Sequence, residues 1–318
     1  MSSPTAMTLW RTVDLPGRGS TFACDLPGPS PDSPTVVMLH GLSATGALNW
    51  GPSLQVLNEH FRVVALDHRG HGRGMGTDVS FTLEDCADDA VALIEVLGVR
   101  KAIFVGYSMG GPIAQLVWRR HPDRVLGLVL CATSADFRPG ADRWAIVRAV
   151  EEMHRSTRLI PRSLRVQGAR ALLAGFVVDR SLEQELLDAL DRHDPAAVQQ
   201  AARAVLRFSS TEWIGDVSVP TAVVVTERDG LVPASRQLDL AARIPAAEVV
   251  RVDGNHMVFL SRPDVLAAAV GEACRLVSPD LPAESPVPTP RWWRRSRTPR
   301  ATRSGGAREW RRRRRARA

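Results

Sequence analysis

None of the apolar runs in this chain of 318 residues is long enough to span a bilayer, although 44% of its residues are hydrophobic. That combination argues for a buried core and against a membrane-spanning helix. Paired cysteines are lacking too. Cys24, Cys86, Cys131 and Cys274 stand far apart with no C-x-x-C spacing, which argues against a disulfide framework and against a metal site built on thiolates. Reduced thiols and a cytoplasmic location are the expectation. Residues Met1 to Met7 carry neither the basic start nor the apolar stretch of a secretory signal.

A basic surface is also missing from most of the chain, despite a net charge of +7. Thirteen of the 41 basic residues, and one of the 34 acidic ones, fall within 291–318; the rest holds 28 basic and 33 acidic residues. A slightly acidic globule therefore carries an arginine-rich tail behind a proline-rich linker, with 279–318 read as disordered. Arginine beside Trp292, Trp293 and Trp310 suits weak contact with an anionic membrane or nucleic acid. No recognition module accompanies the run, so a passenger extension with no selected role is the favoured reading. No obligate protein partner is inferred.

What the sequence does have is an alternation of apolar strands and helical patterns. Two strands, 8–13 and 19–25, flank a Leu15-Pro16-Gly17-Arg18 turn. Buried strands are predicted at 35–39, 61–66, 101–105, 126–131, 221–225 and 247–252. Helices are predicted at 82–97, with Thr82 as N-cap, and at 112–120, 234–243 and 263–276. This pattern indicates a mostly parallel sheet covered on both faces. From 134 to 215 only helical patterns occur (143–155, 164–176, 181–190 and 196–207), the signature of a helical cap inserted over the strand ends. The core is then 8–133 with 216–278.

Between strand 101–105 and helix 112–120 lies Gly106-Tyr107-Ser108-Met109-Gly110. Gly-X-Ser-X-Gly in that setting is the nucleophile-elbow pattern. The turn is so tight that a side chain two residues either side of the serine would strike the neighbouring strand or helix. The hydroxyl then stands at a helix N-terminus, where free N–H groups favour developing negative charge. A serine hydroxyl needs a histidine base oriented by a carboxylate. Downstream, Asp229 follows strand 221–225 and His256 follows strand 247–252, each just past a strand's carboxyl end, in the order serine, acid, histidine. The rival acids are Glu227, early in its loop, and Asp136, after the preceding strand. His68 and His71 have a spacing compatible with metal ligation but lack a third ligand nearby, so loop hydrogen bonding is expected of them. A structural role in its loop is expected of His40. His60, His121, His154 and His193 fall on polar stretches and are expected to be solvated.

With these residues in view, the sequence over roughly 8–278 resembles an α/β-hydrolase-fold serine hydrolase of the esterase and lipase kind. His40-Gly41-Leu42 is similar to the family's oxyanion-loop pair, and the resemblance implies the backbone N–H groups of Leu42 and Met109 as donors. Asp67-His68-Arg69-Gly70-His71-Gly72 resembles the family's D-x-R-G-x-G loop, which mainly holds the fold. Gly254-Asn255-His256 departs by one residue from the family's Gly-His. The expectation is a cofactor-independent, metal-free hydrolase that cleaves carboxylic esters, with a small hydrophobic ester as its partner. The alternatives are a C–C bond hydrolase, a lactonase or a perhydrolase of haloperoxidase type with the same triad, or a silent ligand-binding protein. Epoxide hydrolases and haloalkane dehalogenases are disfavoured, because they need aspartate where Ser108 stands.

Overall fold

The computed structural model describes residues 10–76, 80–138 and 192–278. The expected cap helices 143–155, 164–176 and 181–190, His154, and the linker and tail 279–318 lie outside the described residues.

Eight strands form one sheet in the order β1-β2-β4-β3-β5-β6-β7-β8. They are β1 (Trp10–Leu15), β2 (Gly19–Leu26), β3 (Thr35–Leu39), β4 (Arg62–Leu66), β5 (Ala102–Tyr107), β6 (Val125–Cys131), β7 (Thr221–Thr226) and β8 (Glu248–Val252). β1 and β2 form an antiparallel hairpin, and β2 pairs antiparallel with β4. The five remaining pairings are parallel. Gly17, at φ +73°, turns the hairpin after Pro16, where a side chain would strain the backbone.

Parallel strands buried on both faces must be apolar at every position. In β3, Val37 and Leu39 face one core while Val36 and Met38 face the other. The first core is covered by α2 (Leu83–Val96), α3 (Gly110–Arg120) and α5 (Ala234–Arg243). The second is covered by α1 (Gly46–Asn58) and α6 (Pro263–Leu276). α4 (Pro195–Arg207), expected as the last helix of the cap, contributes Ala197, Ala201 and Val205 to the first core. α2 starts on a full capping box, with Thr82 Oγ1 accepting from the N–H of Asp85 and Asp85 Oδ2 accepting from that of Thr82.

One helix is not legible in the sequence. α1 holds Gly46, Asn49, Gly51, Pro52, Ser53 and Asn58, all weak helix formers, with a proline inside that removes a hydrogen bond. It persists because Leu48, Trp50, Leu54 and Leu57 are buried and the helix packs against α6, while Thr45 caps its start. Tertiary burial here outweighs propensity, since each large apolar side chain is worth about 1.5–3 kcal/mol.

The chain moves outward from β3 to β4, returns to β5, and then advances the other way through β6, β7 and β8. The reversal between β3 and β5 opens a crevice at their carboxyl ends, where ligands bind in such sheets. No described helix is long and apolar enough to cross a membrane.

Candidate active site

The turn after β5 is enforced by backbone contact. Ser108 has φ +50°, a left-handed conformation that costs energy for any residue with a Cβ. A Cβ at Gly106 would run into the Gly110 carbonyl, and one at Gly110 would strike the Leu39 carbonyl at the end of β3. The N–H of Ser108 donates to the Cys131 carbonyl at 2.9 Å, and its own carbonyl accepts from Gly111 N–H and Thr133 Oγ1, both at 2.9 Å. The turn is thereby tied to β6 as well as to α3.

His256 Nε2 lies 2.9 Å from Ser108 Oγ, and His256 Nδ1 lies 2.7 Å from Asp229 Oδ2. An ionised carboxylate only accepts, so Nδ1 carries the proton toward Asp229 and Nε2 is left to accept from the serine. The extra residue in Gly254-Asn255-His256 is absorbed locally, with Asn255 Oδ1 accepting from the Met257 N–H at 2.9 Å. Tyr107 donates its hydroxyl to the His256 carbonyl at 2.8 Å, fixing the backbone of that loop.

The Asp229 side chain is fully shielded from solvent. Burial alone would raise its pKa, but the hydrogen bond and charge of His256, the Val232 N–H and the Thr226 hydroxyl together hold it below the usual carboxylate range. Its Oδ1 accepts from the N–H groups of Leu231 and Val232 at 2.9 and 2.8 Å. The rival acids are engaged elsewhere. Asp136 is held by Arg138 at 2.8 Å, and Glu227 by Arg251 at 3.3 Å.

On the other side of Ser108, the loop after β3 packs so closely that a Cβ on Gly41 would lie 3.4 Å from Ser108 Cβ. The Gly41 N–H donates to Asn49 Oδ1 on α1 at 2.9 Å, which orients the peptide leading to Leu42. Neither the N–H of Leu42 nor that of Met109 donates to a partner among the described residues, so both are available to an oxygen above Ser108.

Behind this loop four imidazoles stack. His40 lies 4.4 Å from His68 and 5.4 Å from His71 between ring centroids, and His71 lies 5.3 Å from His193. Both the solvated His193 and the hydrogen-bonding His68 ring expected from the sequence need correction. His193 is buried at 8% exposure because its ring closes the stack, with Nδ1 accepting from the Gly72 N–H at 2.9 Å. The His68 ring makes no hydrogen bond, and only its backbone N–H donates, to His40 Nε2 at 2.9 Å. Burial, reinforced by the neighbouring rings, pushes His68 down to about 3 and His71 to about 4, and holds His40 well below its ordinary value. The stack is therefore uncharged near neutral pH. No group of three or more histidine, cysteine or acidic side chains among the described residues is arranged to hold a metal ion.

The Asp67 loop ties the first strands together. Asp67 accepts from the N–H groups of Gly46 and Arg73 at 2.8 and 2.9 Å, and Arg69 forms a two-pronged pair with Asp89 on α2. Sequence reasoning passed over Asn49, Tyr107, Thr226 and Gln237, all of which brace the site. Tyr107 and Thr226 had one signal, a polar side chain at the end of an apolar strand; Asn49 and Gln237 had none.

Comparison with known proteins agrees with this architecture. The family described as alpha/beta hydrolase fold matches residues 34–149. A relative named carbamate hydrolase RutD, from Agrobacterium fabrum, is 30% identical over 242 residues, covering 74% of this chain and 90% of its own. One named as a non-heme haloperoxidase, from Mycobacterium phage D29, is 29% identical over 254 residues, covering 75% and 86%. Among solved structures, a thermophilic esterase from Thermogutta terrifontis superposes with a TM-score of 0.68 at 24% identity, covering 85% of this chain and 99% of that one. At that identity the likeness speaks for the fold. An eight-stranded sheet of this order, an elbow at its switch point and relatives of this kind converge: the chain belongs to the α/β-hydrolase family and is a hydrolytic enzyme.

Proposed function

We propose that this enzyme cleaves carboxylic esters through an acyl-enzyme on Ser108, with His256 as base and Asp229 as the acid that orients it. One observation carries the reading. A continuous path runs from Ser108 Oγ to His256 at 2.9 Å and on to Asp229 at 2.7 Å, at the carboxyl ends of β5, β8 and β7. Ser108 Oγ attacks the ester carbonyl as His256 Nε2 takes its proton, and the N–H groups of Leu42 and Met109 receive the oxyanion. His256 then gives the proton to the departing alcohol. A water deprotonated by His256 attacks the acyl-serine, the acid leaves, and the proton returns to Ser108. Nucleophile, base and oxyanion donors all come from the chain, so the reaction as written needs no cofactor. The four cysteines are free and buried, which supports the expectation of a reducing, cytoplasmic setting.

One observation favours a second substrate class. The relative at 30% identity is named as a carbamate hydrolase, and a carbamate presents the same acyl carbon to the same serine.

The test is covalent labelling by a fluorophosphonate probe, followed by turnover of a panel of esters, lactones and carbamates. Wild type should label and Ser108→Ala should not, while remaining folded. Labelling that survives in Ser108→Ala would remove the nucleophile assignment. A panel in which only carbamates turn over would replace the ester reading with the second one.

A further inference from the structure

Gln237 lies on α5, away from the reacting atoms, and is completely buried. A buried carboxamide must satisfy four hydrogen-bonding positions or lose free energy. Gln237 Oε1 accepts from the Thr226 N–H at 3.0 Å. Its Nε2 donates to the Val232 carbonyl at 2.7 Å and to Thr226 Oγ1 at 2.8 Å, with a longer approach of 3.4 Å to Asp229 Oδ2. The orientation of the amide follows from these partners. Turned over, its oxygen would face the Val232 carbonyl and its nitrogen would face an N–H, two repulsive contacts in a dry interior.

This orientation has a consequence for the next group. Thr226 is also fully buried, and its hydroxyl has one hydrogen to give. Because Oγ1 accepts from Gln237, the hydrogen is free to point to Asp229 Oδ2, 2.8 Å away. That same oxygen accepts from His256 Nδ1. We propose that Gln237 is a positioning residue for the triad: by donating to the Thr226 hydroxyl it commits that hydroxyl's hydrogen to the Asp229 oxygen facing His256. The inference rests on the triad reading above. Asp229 thus meets His256 with one oxygen partly neutralised by Thr226 and the other held by the Leu231 and Val232 N–H groups. Among the described residues, Tyr107 packs its ring against His256 with its hydroxyl committed to the His256 carbonyl, and Arg228, next to Asp229 in sequence, has its guanidinium committed to Asp253 at 2.9 Å.

Without the Thr226 donor, more negative charge remains on the oxygen facing His256, which favours the imidazolium. The base then stays protonated to a higher pH. The readout is the second-order rate of Ser108 labelling by a fluorophosphonate as a function of pH, which needs no knowledge of the natural substrate. Gln237→Met and Thr226→Val should each move the midpoint of that profile up by about half a pH unit. The double variant should move it little further than Thr226→Val alone, because Gln237 acts through that hydroxyl. An unmoved midpoint in folded Gln237→Met, with any loss of rate uniform across pH, would mean that Gln237 only fills space and would overturn the proposal. A strictly additive double variant would overturn it equally.

Should Gln237→Met fail to fold, Gln237→Leu removes the same donor to the Thr226 hydroxyl without adding charge, and the same upward shift is expected; no shift would again refute the proposal. Ser108→Ala run in parallel separates the two readings. Labelling of that variant would fell the triad reading and this inference with it, whereas an inert Ser108→Ala beside an unshifted Gln237 variant would fell this inference alone.

Discussion

Around Ser108 the chain is held by steric contact with backbone; around Asp229 and His256 it is held by hydrogen bonds. Gly106 and Gly110 are forced by carbonyl groups that leave no room for a Cβ, and the strained φ of Ser108 is locked by hydrogen bonds to β6 and α3. The acid loop has no such steric clamp. Asp229 is placed by two N–H groups, one threonine hydroxyl and the histidine, with a buried glutamine behind them. Steric enforcement restricts residue types at fixed spacing and so writes a motif into the sequence. Enforcement by hydrogen bonds can be met by many polar residues at many positions, and writes none.

Substitutions should break the two regions in different ways. Asp229→Asn gives the largest effect on rate. It should lower kcat by about 10³–10⁴-fold, because the amide favours the wrong imidazole tautomer and cannot stabilise the imidazolium, while thermal unfolding shifts little. Equal activity in Asp229→Asn, with loss in Asp136→Asn, would move the acid to the loop after β6.

Gly106→Ala should behave in the opposite manner. Its new methyl group meets backbone carbonyl and not a flexible side chain, so stability should fall by about 3 kcal/mol, read as the urea midpoint, with activity falling in step. A stable, inactive Gly106→Ala protein would show that the elbow is less rigidly clamped than the contacts around Gly110 imply.

The smallest effect per step concerns the histidine stack that links the two Gly-rich loops. His68 and His71 titrate near 3 and 4 in the folded protein and about 6.5 when unfolded. The unfolded chain therefore binds more protons between those limits. Their contribution to stability is complete above pH 6.5 and is lost as pH falls, at about 1.4 kcal/mol per pH unit for each histidine. Asp67 opposes this. Burial raises its pKa to about 6, so the folded state gains relative stability as pH falls through 6 toward 4. With His40, His68 and His71 lowered by burial and Asp67 raised by it, the net expectation is a falling urea midpoint from pH 7 to 4.5. His68→Leu should make that fall shallower, and an unchanged slope would mean that the stack takes up its protons while folded.

The same contrast explains what could be read from sequence. Strands β3 and β6, α2 with its Thr82–Asp85 box, and the order of Ser108, Asp229 and His256 rest on local pattern. α1 does not: its glycines, asparagines and Pro52 describe a loop, and burial of Leu48, Trp50, Leu54 and Leu57 makes it a helix. Asn49 rides on that helix, so its hold on Gly41 could not be anticipated before the helix was known. His193 sits among charged neighbours in sequence and looks solvated. It is buried because Gly70 and Gly72 bring the Asp67 loop against the start of α4, a contact across 121 residues. Gln237 lies on a helix whose other polar residues mostly face solvent, and nothing local marks it as different.

The separation of the two regions along the chain also sets a schedule. The base proposed for Ser108 lies 148 residues further on. At ribosomal rates of about 5–20 residues per second, Ser108 is made about 7–30 s before His256. During that interval the emerging chain carries an ordinary serine with no partner to deprotonate it. On the proposed triad, reactivity waits until β7 and β8 add themselves to the far edge of the sheet, so the last of the described strands to be synthesised would also arm the enzyme.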